Sequence, residues 1–273
     1  MSEHATPRFA QKKLIQSRDN AFYKELVKLA GSARSRSKAG KTLLDGIHLL
    51  VAYLDAGFKP LHIILSTAAL ENGEITVLLL QLEDVPITQL DDKLFAALSE
   101  LKSTTGILTL IDLPHAEPSV CHFALLLEDI QDPGNLGSML RSAGAAGCDA
   151  VFLSPGCTDA WSPKVLRAAM GGHFCLNIHE GQDLPEVAEK FRGMRLAATL
   201  QAAHSLYECD LSGNVAFMIG NEGAGLSKAL LPHATHAVSI PMPGGIESLN
   251  AASAAAICLF EAVRQKLTTP ALT

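Results

Sequence analysis

The amino-acid sequence predicts an α/β protein in two parts: a smaller N-terminal α/β domain, and a C-terminal domain with a mostly parallel sheet and helices on both faces. Two observations predict the parallel sheet. Beyond residue 122, short uninterrupted apolar runs alternate with stretches of helical period, the pattern of strands buried on both sides. Gly, Pro, Asn and Asp punctuate these runs and separate them into elements. A third observation sets the division. Residues 113–122 hold two prolines and no period, so they read as a linker between domains at 1–112 and 123–273.

In chain order, residues 20–30 predict a helix with Phe22, Leu26 and Leu29 on one face. A Ser- and Gly-containing basic stretch follows and predicts a loop, and 42–56 predict a second helix. Strands are expected at 61–65 and 107–111, with helices near 75–82 and 92–99. In the second half the expected order is strand 123–127, helix 136–146, strand 150–153, helix 163–170, strand 174–179 and helix 184–191. Strands 195–200, 215–219 and 237–241 then lead to a long helix at 249–266. In open parallel sheets ligands bind beyond the carboxyl ends of the strands, which directs attention to three loops.

Composition narrows the classes. No run approaches the roughly 18 apolar residues of a membrane span, and the N-terminus lacks the apolar centre of a signal peptide, so a cytoplasmic protein without a membrane partner is expected. The six cysteines form no Cys-x-x-Cys pair and the ten histidines no ligand cluster; reduced thiols and no metal are expected. A net charge of −6 hides an asymmetry. Residues 1–41 hold ten Lys or Arg against three Asp or Glu, a balance of +7 that leaves −13 for the rest. Lys12, Lys13, Arg34, Arg36, Lys38 and Lys41 belong to this basic end, which suits neutralisation of RNA phosphates; a solvated helix face and loop is the other explanation.

The first loop is Asp132-Pro-Gly-Asn135-Leu-Gly137-Ser-Met-Leu-Arg141. Asn135 is a good helix cap, and Arg141 near that helix start could hold a phosphate together with free backbone N–H groups. The second is Gly220-Asn-Glu222-Gly-Ala-Gly225-Leu226, in which three glycines allow close backbone approach to a ligand. It does not fit the dinucleotide fingerprint Gly-x-Gly-x-x-Gly, which counts against a nicotinamide-dependent oxidoreductase. The third runs from Ile240-Pro-Met242 to Ser248-Leu249-Asn250 and enters an Ala-rich helix, with Ser248 and Asn250 both possible caps.

Together, in this order, the three loops resemble the SpoU (TrmH) branch of the SPOUT RNA methyltransferases. Asn135, Gly137 and Arg141 resemble its Asn-x-Gly-x-x-x-Arg motif, and Gly220, Glu222, Gly225 and Leu226 its Gly-x-Glu-x-x-Gly-Leu motif. Ile240-Pro241-Met242 and Ser248-Leu249-Asn250 resemble the last. Leu44-Asp45-Gly46, His48-Leu49-Leu50 and Thr105-Gly106-Ile107-Leu108 resemble the ribosomal-protein-like RNA-binding domain that many members carry. Ala252 stands where the family often has Ser, and Thr104-Thr105 where Pro-Gln is expected.

The resemblance implies transfer of a methyl group from S-adenosylmethionine to a ribose 2′-hydroxyl of RNA. Ribosomal RNA is favoured over tRNA because of the extra N-terminal domain. It also implies a trefoil-knotted cofactor site and a homodimer. Gly220, Ile240 and Leu249, with Thr199 as a fourth, are then expected to line the cofactor. The family nominates Arg141 for activation. Because a guanidinium donates hydrogen bonds and keeps its proton, a clamp on phosphate and hydroxyl is the preferred role and a transiently neutral base the alternative. Glu222 is expected to orient Arg141 and its loop, and Asn135, Ser248 and Asn250 to complete the polar lining. Lys164 and Arg167 are further candidates for the RNA backbone, with solvated charges as the alternative. A non-catalytic RNA-binding factor on the same fold is the rival reading; it has no need of Asn135, Arg141, Glu222 and Asn250 together.

Overall fold

The computed structural model describes residues 14–82, 84–99, 105–116 and 120–268. Lys12, Lys13, Thr104 and part of the predicted linker, 117–119, lie outside them. The chain divides into two compact units. One runs to Leu113 and takes in Trp161–Arg167; the other holds Pro114–Ala160 and the chain from Ala168 on.

The first stretch of chain contains β1 (Leu14–Ile15), α1 (Ala21–Gly31), α2 (Ala33–Ala39), β2 (Lys41–Asp45) and α3 (Ile47–Asp55). It continues with β3 (His62–Ser66), α4 (Gly73–Leu80), β4 (Ile87–Leu90), α5 (Asp92–Ala96) and β5 (Ile107–Asp112). The five strands form one sheet ordered β1-β4-β3-β5-β2, in which β1, β4 and β3 are parallel and β5 is antiparallel to both its neighbours. Strand alternation distributes the core over two faces: Ile64 joins Leu26 and Leu29 of α1, whereas Ile63 and Leu65 join Ile75 and Leu79 of α4.

Two expectations for this region are corrected. The basic stretch predicted as a loop is the helix α2. Ser32 caps it by accepting the Ser35 N–H, and Gly40, at φ 62°, ends it in the left-handed conformation. The helix predicted over 42–56 is β2 followed by α3, with Gly46 at φ 107° between them. Thr42, Leu43 and Leu44 are buried in succession, as a strand covered on both faces requires. β1 and β4 were not expected; β1 has only two residues and β4, Ile-Thr-Gln-Leu, only a weak apolar pattern.

From Phe123 the chain forms β6 (Phe123–Leu127), α6 (Pro133–Ala146), β7 (Ala150–Leu153), α7 (Pro163–Ala169), β8 (Asn177–His179) and α8 (Leu184–Lys190). Then come β9 (Met194–Ala198), β10 (His204–Ser205), β11 (Val215–Ile219), β12 (His236–Ser239) and α9 (Ala251–Thr268). The seven strands make a sheet ordered β10-β12-β9-β11-β6-β7-β8, and every pair is parallel. β6 and β11 lie at its centre and are buried along their whole length. Ala124, Leu126, Ala216 and Met218 pack against Leu184 and Ala188 of α8, while α6 and α9 pack on each other.

The strand predicted at 174–179 shortens to β8 because Gly172–Cys175 forms a 3₁₀ turn seated against α6. A Cβ at Gly172 would lie 2.9 Å from both the Arg141 Cα and the Leu140 carbonyl oxygen, so only glycine permits this approach. Among the described residues no helix is long and apolar enough to cross a membrane, and no group of three or more His, Cys, Asp or Glu is placed to hold a metal. The cysteines are free, and burial pushes the Cys258 thiol up to about 12.

His173, in that 3₁₀ turn, is 1% exposed and meets the Ala160 carbonyl through Nε2 at 2.7 Å. Burial pushes its pKa down from 6.5 to about 4. Between these values the unfolded chain binds the proton and the folded chain does not. Stability therefore falls as pH drops through this window. The contribution is on the order of 3 kcal/mol. Urea unfolding from pH 7 to 4 should show this slope, and His173→Gln, which keeps a donor for Ala160 but does not titrate, should flatten it; an unchanged slope in the variant would exclude His173 as its source.

Candidate active site

The carboxyl ends of β9, β11 and β12 release three loops toward one cleft of ≈ 680 Å³, within the range of small-molecule sites. Its walls include Asn135, Thr199, Gly220, Glu222, Ser248, Leu249 and Asn250. A smaller apolar pocket of ≈ 90 Å³ adjoins it, lined by Val238, Ile240 and Met242 and sharing Thr199 and Leu249 with the cleft.

Local chemistry frees the side chains that meet there. Asp132, not Asn135, caps α6: its Oδ1 accepts the Asn135 N–H at 2.7 Å, and Pro133 opens the helix. Asn135 therefore stands inside the first turn with its amide available. At the start of α9, Asn250 Oδ1 accepts the N–H groups of Ala252 at 2.9 Å and Ser253 at 3.3 Å, which settles the choice of cap between Ser248 and Asn250. In the loop after β11, the Asn221 Oδ1 accepts the Gly223 and Ala224 N–H groups, and the Gly225 N–H closes on the Asn221 carbonyl. Gly220 is sterically compulsory: a Cβ there would sit 2.2 Å from the Gly225 carbonyl carbon.

A chain of side-chain hydrogen bonds joins the first turn of α6 to the loops after β11 and β12. Asn250 Nδ2 donates to Asn135 Oδ1 at 2.8 Å, and Asn135 Nδ2 donates to Glu222 Oε1 at 2.9 Å. Its direction follows from chemistry. An ionised carboxylate only accepts, so Asn135 must turn its NH₂ to Glu222 and its oxygen to Asn250. Asn250 must then present its own oxygen to the N–H groups of α9. Each amide has one permissible orientation.

Arg141 lies in the third turn of α6, exposed and outside the cleft lining, and makes no ion pair among the described residues. The expectation that Glu222 orients Arg141 is thus corrected: its Oε1 meets Asn135. Ser248 is exposed on the cleft wall. At the basic end, Arg34 and Lys38 project exposed from α2, and Lys41 begins β2 partly buried. Arg36 does not join them. It is 5% exposed, and its Nη1 donates to the Leu29 and Ala30 carbonyls at 2.6 and 3.1 Å, satisfying the open end of α1. Asp132 and Asn221 escaped the sequence reading, though Asp132-Pro133 carries a visible cap-plus-proline signal.

Residues 122–260 match the SpoU rRNA Methylase family, and residues 20–109 match the MRM3-like substrate binding domain. The chain belongs to the SpoU rRNA methylase family. It is 34% identical to an uncharacterized tRNA/rRNA methyltransferase of Synechocystis sp., across 92% of this chain and 94% of the relative. A 23S rRNA guanosine 2′-O-methyltransferase of Bacillus subtilis is 32% identical, across 91% of this chain and 98% of its own length. The SpoU methyltransferase AviRb of Streptomyces viridochromogenes, solved with its cofactor S-adenosylmethionine, superposes with a TM-score of 0.81 at 27% identity, covering 91% of this chain and 99% of that one.

The amide chain makes a graded prediction for methyl incorporation into RNA. Asn135→Leu removes both bonds and should lower turnover about tenfold, whereas Asn135→Asp can still accept from Asn250 but sets a second carboxylate against Glu222 and should lower it about a hundredfold. Equal losses in the two variants would show that charge at this position is immaterial.

Proposed function

We propose that this chain transfers the methyl group of S-adenosylmethionine to a ribose 2′-hydroxyl of ribosomal RNA, acting in the cytoplasm as a homodimer with a trefoil-knotted C-terminal segment. The observation that carries this reading is the hydrogen-bonded chain Asn250–Asn135–Glu222, which ties the first turn of α6 to the loops after β11 and β12 around a cleft in a member of a methylase family. In this reading the N-terminal substrate-binding domain is 1–112, the linker 113–122 and the catalytic domain 123–273.

The residues present fit the cofactor. Gly220 lets the loop after β11 fold back against its own Gly225 and so shapes one wall of the cleft, and the pocket beside Ile240 and Leu249 offers apolar contact for a flat heterocycle. Thr199 closes the wall between pocket and cleft. Bound there, S-adenosylmethionine supplies an electrophilic methyl group. The protein's task is to orient the hydroxyl in line with it and to ease loss of a proton from a weak acid. Arg141 is about six residues, or roughly 9 Å of helix rise, from Asn135, and its exposed guanidinium serves as a clamp on the substrate phosphate and hydroxyl. Glu222 acts as a tie between loops and not as the base. A carboxylate beside a sulfonium that loses its charge favours the ground state over the transition state. Arg34, Lys38 and Lys41 neutralise RNA phosphates, and Ser248 completes the polar wall.

Incubation with deuterium-labelled S-adenosylmethionine and separate unmodified rRNA and tRNA, followed by nucleoside mass spectrometry, tests the reaction. Label should appear on a ribose of rRNA. Label on a base overturns the chemistry, label on tRNA alone overturns the substrate, and cofactor binding without label indicates an assembly factor. Arg141→Ala should lower turnover about 10²- to 10³-fold with cofactor affinity nearly unchanged, and a large loss of that affinity would contradict the clamp. Replacing Arg34 and Lys38 with Ala should reduce the salt dependence of RNA binding by about one to two ion equivalents. Arg36→Ala should instead lower stability, because it exposes helix carbonyls to loss of their donor.

A further inference from the structure

A second set of contacts fixes the loop after β11 from outside the cleft. β6 and β11 pair in register to Leu127 and Ile219, and the Glu128 N–H continues the ladder to the Ile219 carbonyl at 2.9 Å. Glu128 thus stands beside the point where the Gly220–Leu226 loop departs. Its carboxylate grips the point where the loop returns. Oε2 accepts the Ser227 N–H at 2.7 Å and Oε1 accepts the Ser227 hydroxyl at 2.7 Å, while the same hydroxyl oxygen accepts the Leu230 N–H at 3.1 Å.

The next residue supplies the second grip. Asp129 holds φ 54°, a left-handed conformation that a residue with a Cβ adopts at a cost. Ser154 stabilises it from both sides: its hydroxyl donates to Asp129 Oδ1 at 2.6 Å and its oxygen accepts the Asp129 N–H at 2.9 Å. Gly156 leaves the space that this carboxylate occupies, since a Cβ there would lie 2.1 Å from Asp129 Oδ1. So placed, the Asp129 carbonyl accepts Asn221 Nδ2 at 2.9 Å. Both ends of the loop, at Asn221 and Ser227, are therefore fastened to residues 128–129. Neither Glu128 nor Ser227 lines the cleft, whereas every residue from Gly220 to Leu226 does.

We propose that Glu128 is a positioning residue for S-adenosylmethionine: through Ser227 it holds the Gly220–Leu226 loop in the shape that accepts the cofactor. The proposal rests on the cleft being the cofactor site. A residue that acts only through the loop should change cofactor binding more than the chemical step.

The test compares full-length wild type with Glu128→Ala, Glu128→Gln and Ser227→Ala, measuring Kd for S-adenosylmethionine by calorimetry and kcat and KM with RNA. Glu128→Ala should raise Kd and KM for the cofactor about tenfold, leaving kcat within about twofold and the KM for RNA unchanged. Glu128→Gln should recover most of the affinity, because its amide can still accept the Ser227 N–H and donate to the Ser227 oxygen. Ser227→Ala, which removes the hydroxyl's bond to Glu128 and its acceptance of the Leu230 N–H while leaving the Ser227 N–H on Glu128, keeps the question answerable if Glu128→Ala folds poorly; about threefold weaker cofactor binding is expected. Unchanged cofactor affinity in both Glu128→Ala and Ser227→Ala overturns the proposal. So does a loss of folded protein and kcat in proportion with KM unmoved. Ala254→Trp, which fills the cleft and its side pocket, separates the two levels of inference. If it leaves cofactor affinity intact the cleft reading fails and the proposal with it, whereas loss of binding in Ala254→Trp beside normal binding in Glu128→Ala overturns the role of Glu128 alone.

Discussion

The arrangement depends on one constraint: a carboxylate can only accept hydrogen bonds. Because Glu222 accepts, Asn135 must donate to it, Asn250 must donate to Asn135, and Asn250 is left with its oxygen facing the first N–H groups of α9. A single acceptor thereby fixes two amide orientations and one helix start. Elements separated by 115 residues in sequence are held together by the Asn250–Asn135 bond. Such a chain is worth more than three separate contacts, since disturbing any member leaves the others with unmatched groups.

The parallel sheet makes this constraint useful. β9, β11, β6 and β12 all end on the same side, so their loops converge without long connections, and the buried strands β6 and β11 give them a rigid base. Polar ties occupy the rim, where Glu222, Asn135 and Asn250 are at least partly in contact with solvent. Apolar contact occupies the pocket below, with Val238, Ile240, Met242 and Leu249. Burial of a ligand surface against the second group favours binding, and the first group gives that surface its shape.

Most of the parallel sheet was legible because its strands announce themselves. Phe-Ala-Leu-Leu-Leu and Val-Ala-Phe-Met-Ile admit no other compact reading between turn residues, and their predicted bounds coincide with β6 and β11. In the N-terminal region the expectation fails at two stretches, α2 and the β2–α3 pair, and a glycine decides each: Gly40 ends α2 and Gly46 starts α3, each by a positive φ that composition alone does not disclose. The motif loops were visible, but not who partners whom. Asn135 looked like a cap because its residue type suits one, and only the placement of Asp132 three residues earlier releases its side chain. Arg36 looked like its exposed neighbours because nothing in the spacing reveals that the chain turns after α1 and points it at the Leu29 and Ala30 carbonyls.

The choice of partners for the two loop carboxylates bears on Arg141. Glu128 is met by a backbone N–H and a hydroxyl, and Glu222 by an amide, so neither takes its hydrogen bonds from a cation. Had Glu222 been tied to Arg141, the guanidinium would be neutralised in the free protein, and a phosphate would have to displace a carboxylate before binding. Supplying neutral donors avoids that competition. The loops stay fastened, and Arg141 stays exposed without an ion pair among the described residues. The resulting charge distribution is asymmetric: both carboxylates are engaged by neutral donors of the protein itself, and the guanidinium of Arg141 is left presented to solvent.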